Sequence, residues 1–161
     1  MRYHHSAVRR ALAVFALLGL ASPAAADEVP FKGEIQAVES TDLQFPELFV
    51  DASGSGNATQ LGRFTVTYEL EVDLLSGAAS GSAHFIAANG DSLFTEVSGQ
   101  GSPTENAEVS SIVETYTITD GTGRFAGASG SFVLKRLLNM ATGNTSGSFE
   151  GTISSPGASK D

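Results

Sequence analysis

Residues 63–75 read RFTVTYELEVDLL, and they decide how the rest of the chain is read. Phe64, Val66, Tyr68, Leu70 and Val72 alternate without a break against Thr65, Thr67, Glu69, Glu71 and Asp73. A strand sends successive side chains to opposite faces, so this segment has one apolar face and one wet face. A strand covered by helices on both sides would be apolar throughout, and this pattern therefore predicts an antiparallel sheet with one solvated surface.

The same period extends in both directions. Towards the N-terminus, FKGEIQAVES (31–40) sets Phe31, Gly33, Ile35 and Ala37 against Lys32, Glu34 and Gln36, and ELFVDA (47–52) forms a short strand. SGSGN (53–57) and SGAASG (76–81) read as turns. Beyond them, SAHFIAA and SLFTEVSG flank Asn89-Gly90, the pair that favours a tight type I′ hairpin. GSPTENAE (101–108) is a polar loop, and SIVETYTIT (111–119), SFVLKRLLNMA (131–141) and TSGSFEGTIS (145–154) complete the set. No stretch of residues 27–161 has helical periodicity. About eight strands with short connections predict an all-β domain, either an eight-stranded antiparallel β-barrel of calycin-like form or a two-sheet sandwich. A barrel of that size holds packed side chains or one small ligand.

Between two of these strands lies ITDGTGRFAGASGSF (118–132), with Gly121, Gly123, Gly127 and Gly130 close together. A phosphate cradle needs such glycines between a strand and the N-terminus of a helix. Here more β-patterned sequence follows, and Ala126 stands at the third glycine position of the dinucleotide fingerprint. Phe125 and Phe132 are apolar anchors that a disordered linker would not carry. The remaining reading is a turn in which glycine supplies positive φ and lets backbone pass closely across a barrel end.

DGTGRFAGASG (120–130) resembles the G-x-G-x-F-x-x-A-x-G turn of the allene oxide cyclase/dirigent-like β-barrel superfamily. GNATQLGRFT (56–65) and GSFEGTIS (147–154) are similar to secreted bacterial members of that superfamily. The resemblance is specific at 120–130 and diffuse over the rest of 31–154. It implies an eight-stranded antiparallel barrel with an apolar cavity, often as a homotrimer. It also implies a barrel in which the plant enzymes steer cyclisation or coupling of a lipid epoxide or phenolic radical. No catalytic set of those enzymes matches this chain residue by residue, so the resemblance carries the fold and not the activity.

Residues 1–26 read as a signal peptide. Arg2, Arg9 and Arg10 precede the apolar run ALAVFALLGL (11–20), and SPAAA ends in the small residues a signal peptidase reads, with cleavage expected before Asp27. A membrane anchor is the alternative, but the run falls short of the roughly 20 apolar residues a span needs. The domain is then 27–154, followed by a disordered tail at 155–161, and the protein is secreted or periplasmic. Of nine Lys and Arg, three precede the cleavage point and none of the 18 acids does. That leaves six against 18, a formal charge of −12. Such a surface argues against nucleic acid or anionic membrane as partners. The absence of cysteine removes thiol catalysis, cysteine-ligated metals and disulfides.

The candidate chemistry is sparse. His84, the single histidine of the mature chain, lacks a marked nucleophile motif and reads as a surface or wall residue. Asp51 and Asp120 read as turn formers rather than calcium ligands. No metal or other cofactor is indicated. More telling are two charged residues on apolar faces. Glu114 shares parity with Ile112, Tyr116 and Ile118, and Arg136 with Phe132, Leu134, Leu138 and Met140. A shifted register or bulge would turn these faces outward. Otherwise the two charges face the interior and need one another, because an unpaired buried charge costs several kcal/mol. Glu114, Tyr116 and Arg136 are thus the expected ligand-binding residues. Two functions follow: a non-enzymatic barrel that binds a small apolar ligand or serves in assembly, or an isomerase or cyclase acting in the cavity.

Overall fold

The computed structural model describes residues 27–155. The expected signal peptide lies outside the described residues, as do 156–161 of the expected tail. Ser155, the first residue of that tail segment, is buried and donates its hydroxyl to the Arg124 carbonyl (3.2 Å).

Eight antiparallel strands close into a barrel in simple up-and-down order, β1 pairing with both β2 and β8. They are β1 (Glu28–Gln44), β2 (Glu47–Ala58), β3 (Gly62–Asp73), β4 (Ala78–Ala87), β5 (Ser92–Pro103), β6 (Val109–Gly121), β7 (Ser129–Asn139) and β8 (Asn144–Ser154). Closure removes both sheet edges, so the barrel rather than the sandwich satisfies every ladder. The core is the set of inward residues that alternation selects. Phe64, Val66, Tyr68, Leu70, Phe85, Ile118, Phe132 and Phe149 are all buried, while Val72 and Ile112 are half-buried. Leu137 on β7 points to the outer wall and is exposed.

Several turns differ from expectation, and the reason is the same for most of them. Residues 53–57 are not a turn but the second half of β2, and β4 begins at Ala78 within the expected turn 76–81. Asp51 accordingly lies within a strand. The glycines here act through size. A Cβ on Gly56 would meet the Phe64 ring, and one on Gly54 would meet Ala37. Gly56 is the cross-strand neighbour of Phe64, Gly33 that of Phe149, and Gly151 that of Phe132. These three rings therefore lie over residues with no side chain, which helps eight buried aromatic rings share one barrel. Phe132 alone stands 4.7–5.9 Å from Phe31, Phe149, Tyr116 and Phe85. At Asn89-Gly90 only the glycine has positive φ, and Gly90 N–H bonds the Ala87 carbonyl while Ala87 N–H bonds that of Asp91. This is a three-residue loop whose last residue, Gly90, is left-handed, not the type I′ pair. β5 continues to Pro103, so the polar loop shortens to 104–108.

The glycine motif is a turn, as expected. It joins β6 to β7 through a 3-10 turn at Gly123–Phe125, with positive φ at Gly123, Gly127 and Gly130. The turn folds Phe125 into the barrel end, where it is fully buried with Leu61 and Leu93. Arg124 holds the arrangement by donating from Nη2 to the Leu61 carbonyl (3.2 Å). Within β6 a bulge at Thr119 shifts the register, so that Ile118 and then Gly121, rather than Asp120, face inward. This end is sealed. The opposite end, formed by the β1–β2, β3–β4, β5–β6 and β7–β8 hairpins, is open.

Candidate functional site

Arg136 rises from β7 into the barrel at the boundary between the aromatic core and the open end. Its backbone partner on β8 is Gly147, and a Cβ there would press on the Arg136 Cβ at 2.6 Å. Glu114 on β6 likewise lies over Gly99 of β5. Glycines thus make room for the two long charged side chains as they do for the aromatic rings.

Glu114 and Arg136 meet directly. Nε donates to Glu114 Oε2 at 2.9 Å and Nη2 to Oε1 at 2.7 Å, a two-point contact in which planar fork meets planar carboxylate. Tyr116 donates its hydroxyl to Glu114 Oε2 at 3.3 Å. The register was not shifted outward, and the three residues expected on one interior face are adjacent there.

The site also contains residues that the sequence reading did not assign to it. Arg136 Nη1 donates to Glu39 Oε1 of β1 at 2.5 Å and to Thr145 Oγ1 of β8 at 3.0 Å. Tyr68 of β3 donates to the same Glu39 oxygen at 2.8 Å. Glu39 has the parity of Phe31, Ile35 and Ala37, and Thr145 that of Phe149, so the signal was present in the alternation. The side chains of Arg136, Glu114 and Glu39 are only 2%, 1% and 3% exposed. Two carboxylates and one guanidinium are therefore packed together across four consecutive strands of the barrel.

Burial sets the protonation of this cluster. It pushes the Tyr116 hydroxyl well above the ordinary phenol value, and the Glu114 charge adds to the effect. Tyr68 is also raised by burial, against the lowering influence of Arg136 and with the help of Glu39. Burial works against the Arg136 charge, but hydrogen bonding and charge from Glu114, then Tyr68 and Glu39, outweigh it and raise its pKa. Arg136 is thus a fixed cation and the two tyrosines are fixed donors near neutrality.

Above this cluster is a cavity of about 290 Å³ open at the hairpin end. Its walls include Leu48, Val50, Leu70, Val72, Ile112 and Leu138, and Glu39, Glu114 and Arg136 lie at its base. Met140, expected on the core face, lies beyond the end of β7, lines the mouth and is exposed. Broader depressions on the outer wall, lined by outward residues such as Glu34, Gln36, Ser55 and Lys135, are open to solvent. His84 sits on that outer wall, stacked on Phe94 and hydrogen-bonded to Ser92 Oγ at 2.9 Å. No group of three or more His, Asp or Glu able to hold a metal occurs among the described residues.

Fold and site together define a closed eight-stranded antiparallel barrel, solid at one end and hollow at the other, with an ion-paired floor between. Comparison with family models, with curated proteins and with solved structures found no match to this chain.

Proposed function

We propose that this is an exported member of the allene oxide cyclase/dirigent-like barrels that binds one small apolar ligand, without catalysis, in the hollow end. The observation that carries the reading is the cavity of about 290 Å³ at the hairpin end, with aliphatic walls and a polar base. Small-molecule sites combine a mostly apolar lining with a few convergent polar groups that fix orientation. Glu39, Glu114 and Arg136 supply the polar groups here, and Tyr116 holds Glu114 from below.

A second reading, an isomerase or cyclase, draws on the Tyr68–Glu39 and Tyr116–Glu114 pairs, each an acid beside an aromatic hydroxyl. Binding is preferred because both hydroxyls donate to the carboxylates beneath the cavity, and neither tyrosine lines it.

Native mass spectrometry of the purified protein, with titration by naphthalene as a neutral fluorescent probe, tests the proposal. The expected result is a copurified small molecule or saturable probe binding that disappears in Ala79→Phe, which fills the cavity from β4. Probe binding that survives Ala79→Phe, or no binding at all, would reject it. The same spectra report subunit number and so test the homotrimer that the resemblance implies.

A further inference from the structure

We infer that the cavity selects an apolar ligand carrying a cationic, hydrogen-bond-donating head, of the class of a protonated primary amine on an aliphatic chain. The inference rests on the binding function proposed above and adds the chemistry of the head group.

The base of the cavity has two carboxylates for one guanidinium. Glu114 accepts all of its bonds from Tyr116 and Arg136, using both oxygens. Arg136 spends four of its five N–H groups on Glu114, Glu39 and Thr145, leaving at most one, on Nη2. Glu39 is different. Tyr68 and Arg136 both converge on its Oε1, while its Oε2 takes part in no protein hydrogen bond among the described residues. Among the described residues no buried side-chain oxygen or nitrogen lacks a partner, so this oxygen is not sealed away, and Glu39 lines the cavity. The open valence at the floor is thus an acceptor on a carboxylate that is otherwise almost wholly buried.

A ligand carboxylate placed there would meet two like charges and at most a single free N–H. A neutral hydroxyl could donate to Oε2 but would leave the excess negative charge uncompensated. An ammonium head both donates and brings the cluster to neutrality, in surroundings where charges are weakly screened.

The mouth gives an independent indication. The four hairpin segments around it, 41–48, 73–78, 103–109 and 139–144, carry Asp42, Glu47, Asp73, Glu105 and Glu108, and not one Lys, Arg or His. The basic residues Lys32, Arg63 and Arg124 lie towards the sealed end. A mouth of one sign raises the local concentration of counter-charged ligands and speeds their capture.

The test compares octylamine, octanol and octanoate by calorimetry at neutral pH, since the three share one tail and differ in the head. Octylamine should bind about tenfold tighter than octanol, the difference between a charge-assisted and a neutral hydrogen bond. Octanoate should bind weakest. Glu39→Gln, checked for folding by circular dichroism, should remove the amine's advantage over the alcohol. Glu105→Gln combined with Glu108→Gln, both in an exposed loop, should slow amine association and flatten its salt dependence. Equal affinities for the three heads, tightest binding of octanoate, or an amine preference that survives Glu39→Gln would overturn the inference while leaving the binding function intact. So would failure of all three in a protein that still binds naphthalene. Failure of naphthalene itself would instead remove the proposed function. Should Glu39→Gln fail to fold, the loop variant decides, and amine association unaffected by it would overturn the inference.

Discussion

Arg136 and Glu114 sit diagonally across the β6–β7 ladder, Arg136 opposite Ile112 and Glu114 opposite Leu134, and they close a two-point contact between strands. Diagonal neighbours on one sheet face are within reach of long side chains. The register that pairs these strands therefore also sets the ion pair.

Breaking that pair should be expensive. Arg136→Met leaves Glu39 and Glu114 buried without their cation, and unfolding in urea should show a loss of about 3–5 kcal/mol. Combining it with Glu114→Gln should cost less than the sum of the single changes, because the second removes a charge the first left stranded. Strict additivity in the double-mutant cycle would mean that the two side chains act separately.

Face assignment is tested by neighbours in sequence. Phe64→Ala empties a buried site that touches Phe85 and Phe149 and should cost about 3–5 kcal/mol. Thr65→Ala, on the exposed face, should change stability little. Equal costs would contradict the inward placement of Phe64.

Glycine at position 147 should be as hard to replace as a core residue. Gly147→Ala drives a methyl group against the Arg136 Cβ and the Lys135 carbonyl, and overpacking of this kind typically costs about 1–3 kcal/mol. Ser148→Ala, next in the chain but facing outward, provides the control. A Gly147→Ala variant as stable as wild type would show that β8 can move away from β7.

Alkaline titration reads the tyrosines. Tyr68 and Tyr116 are the tyrosines of the described residues, and both have a folded pKa raised by burial. The folded state then holds its phenol protons after the unfolded chain has begun to lose them, at about pH 10. The stabilisation from this difference is complete below that pH and falls as pH rises further. Phenolate absorbance should therefore appear together with loss of β circular dichroism. Tyr68→Phe should make the alkaline fall in stability shallower. Phenolate appearing in a still-folded protein near pH 10 would show that these hydroxyls are solvated.

Much of this was legible from alternation. The period of 63–75 fixed an antiparallel, one-sided sheet, and the same rule turned Glu114 and Arg136 inward. The glycines were misread at 53–57 because small polar residues suit turns in isolation, whereas here they serve rings on the next strand. Parity also held Glu39, but Thr41 is the next residue of that parity and Leu43 beyond it is exposed, so little marked Glu39 as interior. The Tyr68–Glu39 bond joins residues 29 positions apart. Alternation identifies a face but carries no information on which side chains meet across a barrel.

A floor set behind aliphatic walls also determines timing. Any molecule that seats a polar head on Glu39 must carry it past Leu48, Val72 and Ile112, whose side chains replace none of the water it sheds. The same barrier stands on the way out. Association and release are then both slowed, and residence in the barrel can be long even when affinity is modest, because one barrier governs both rates without altering their ratio.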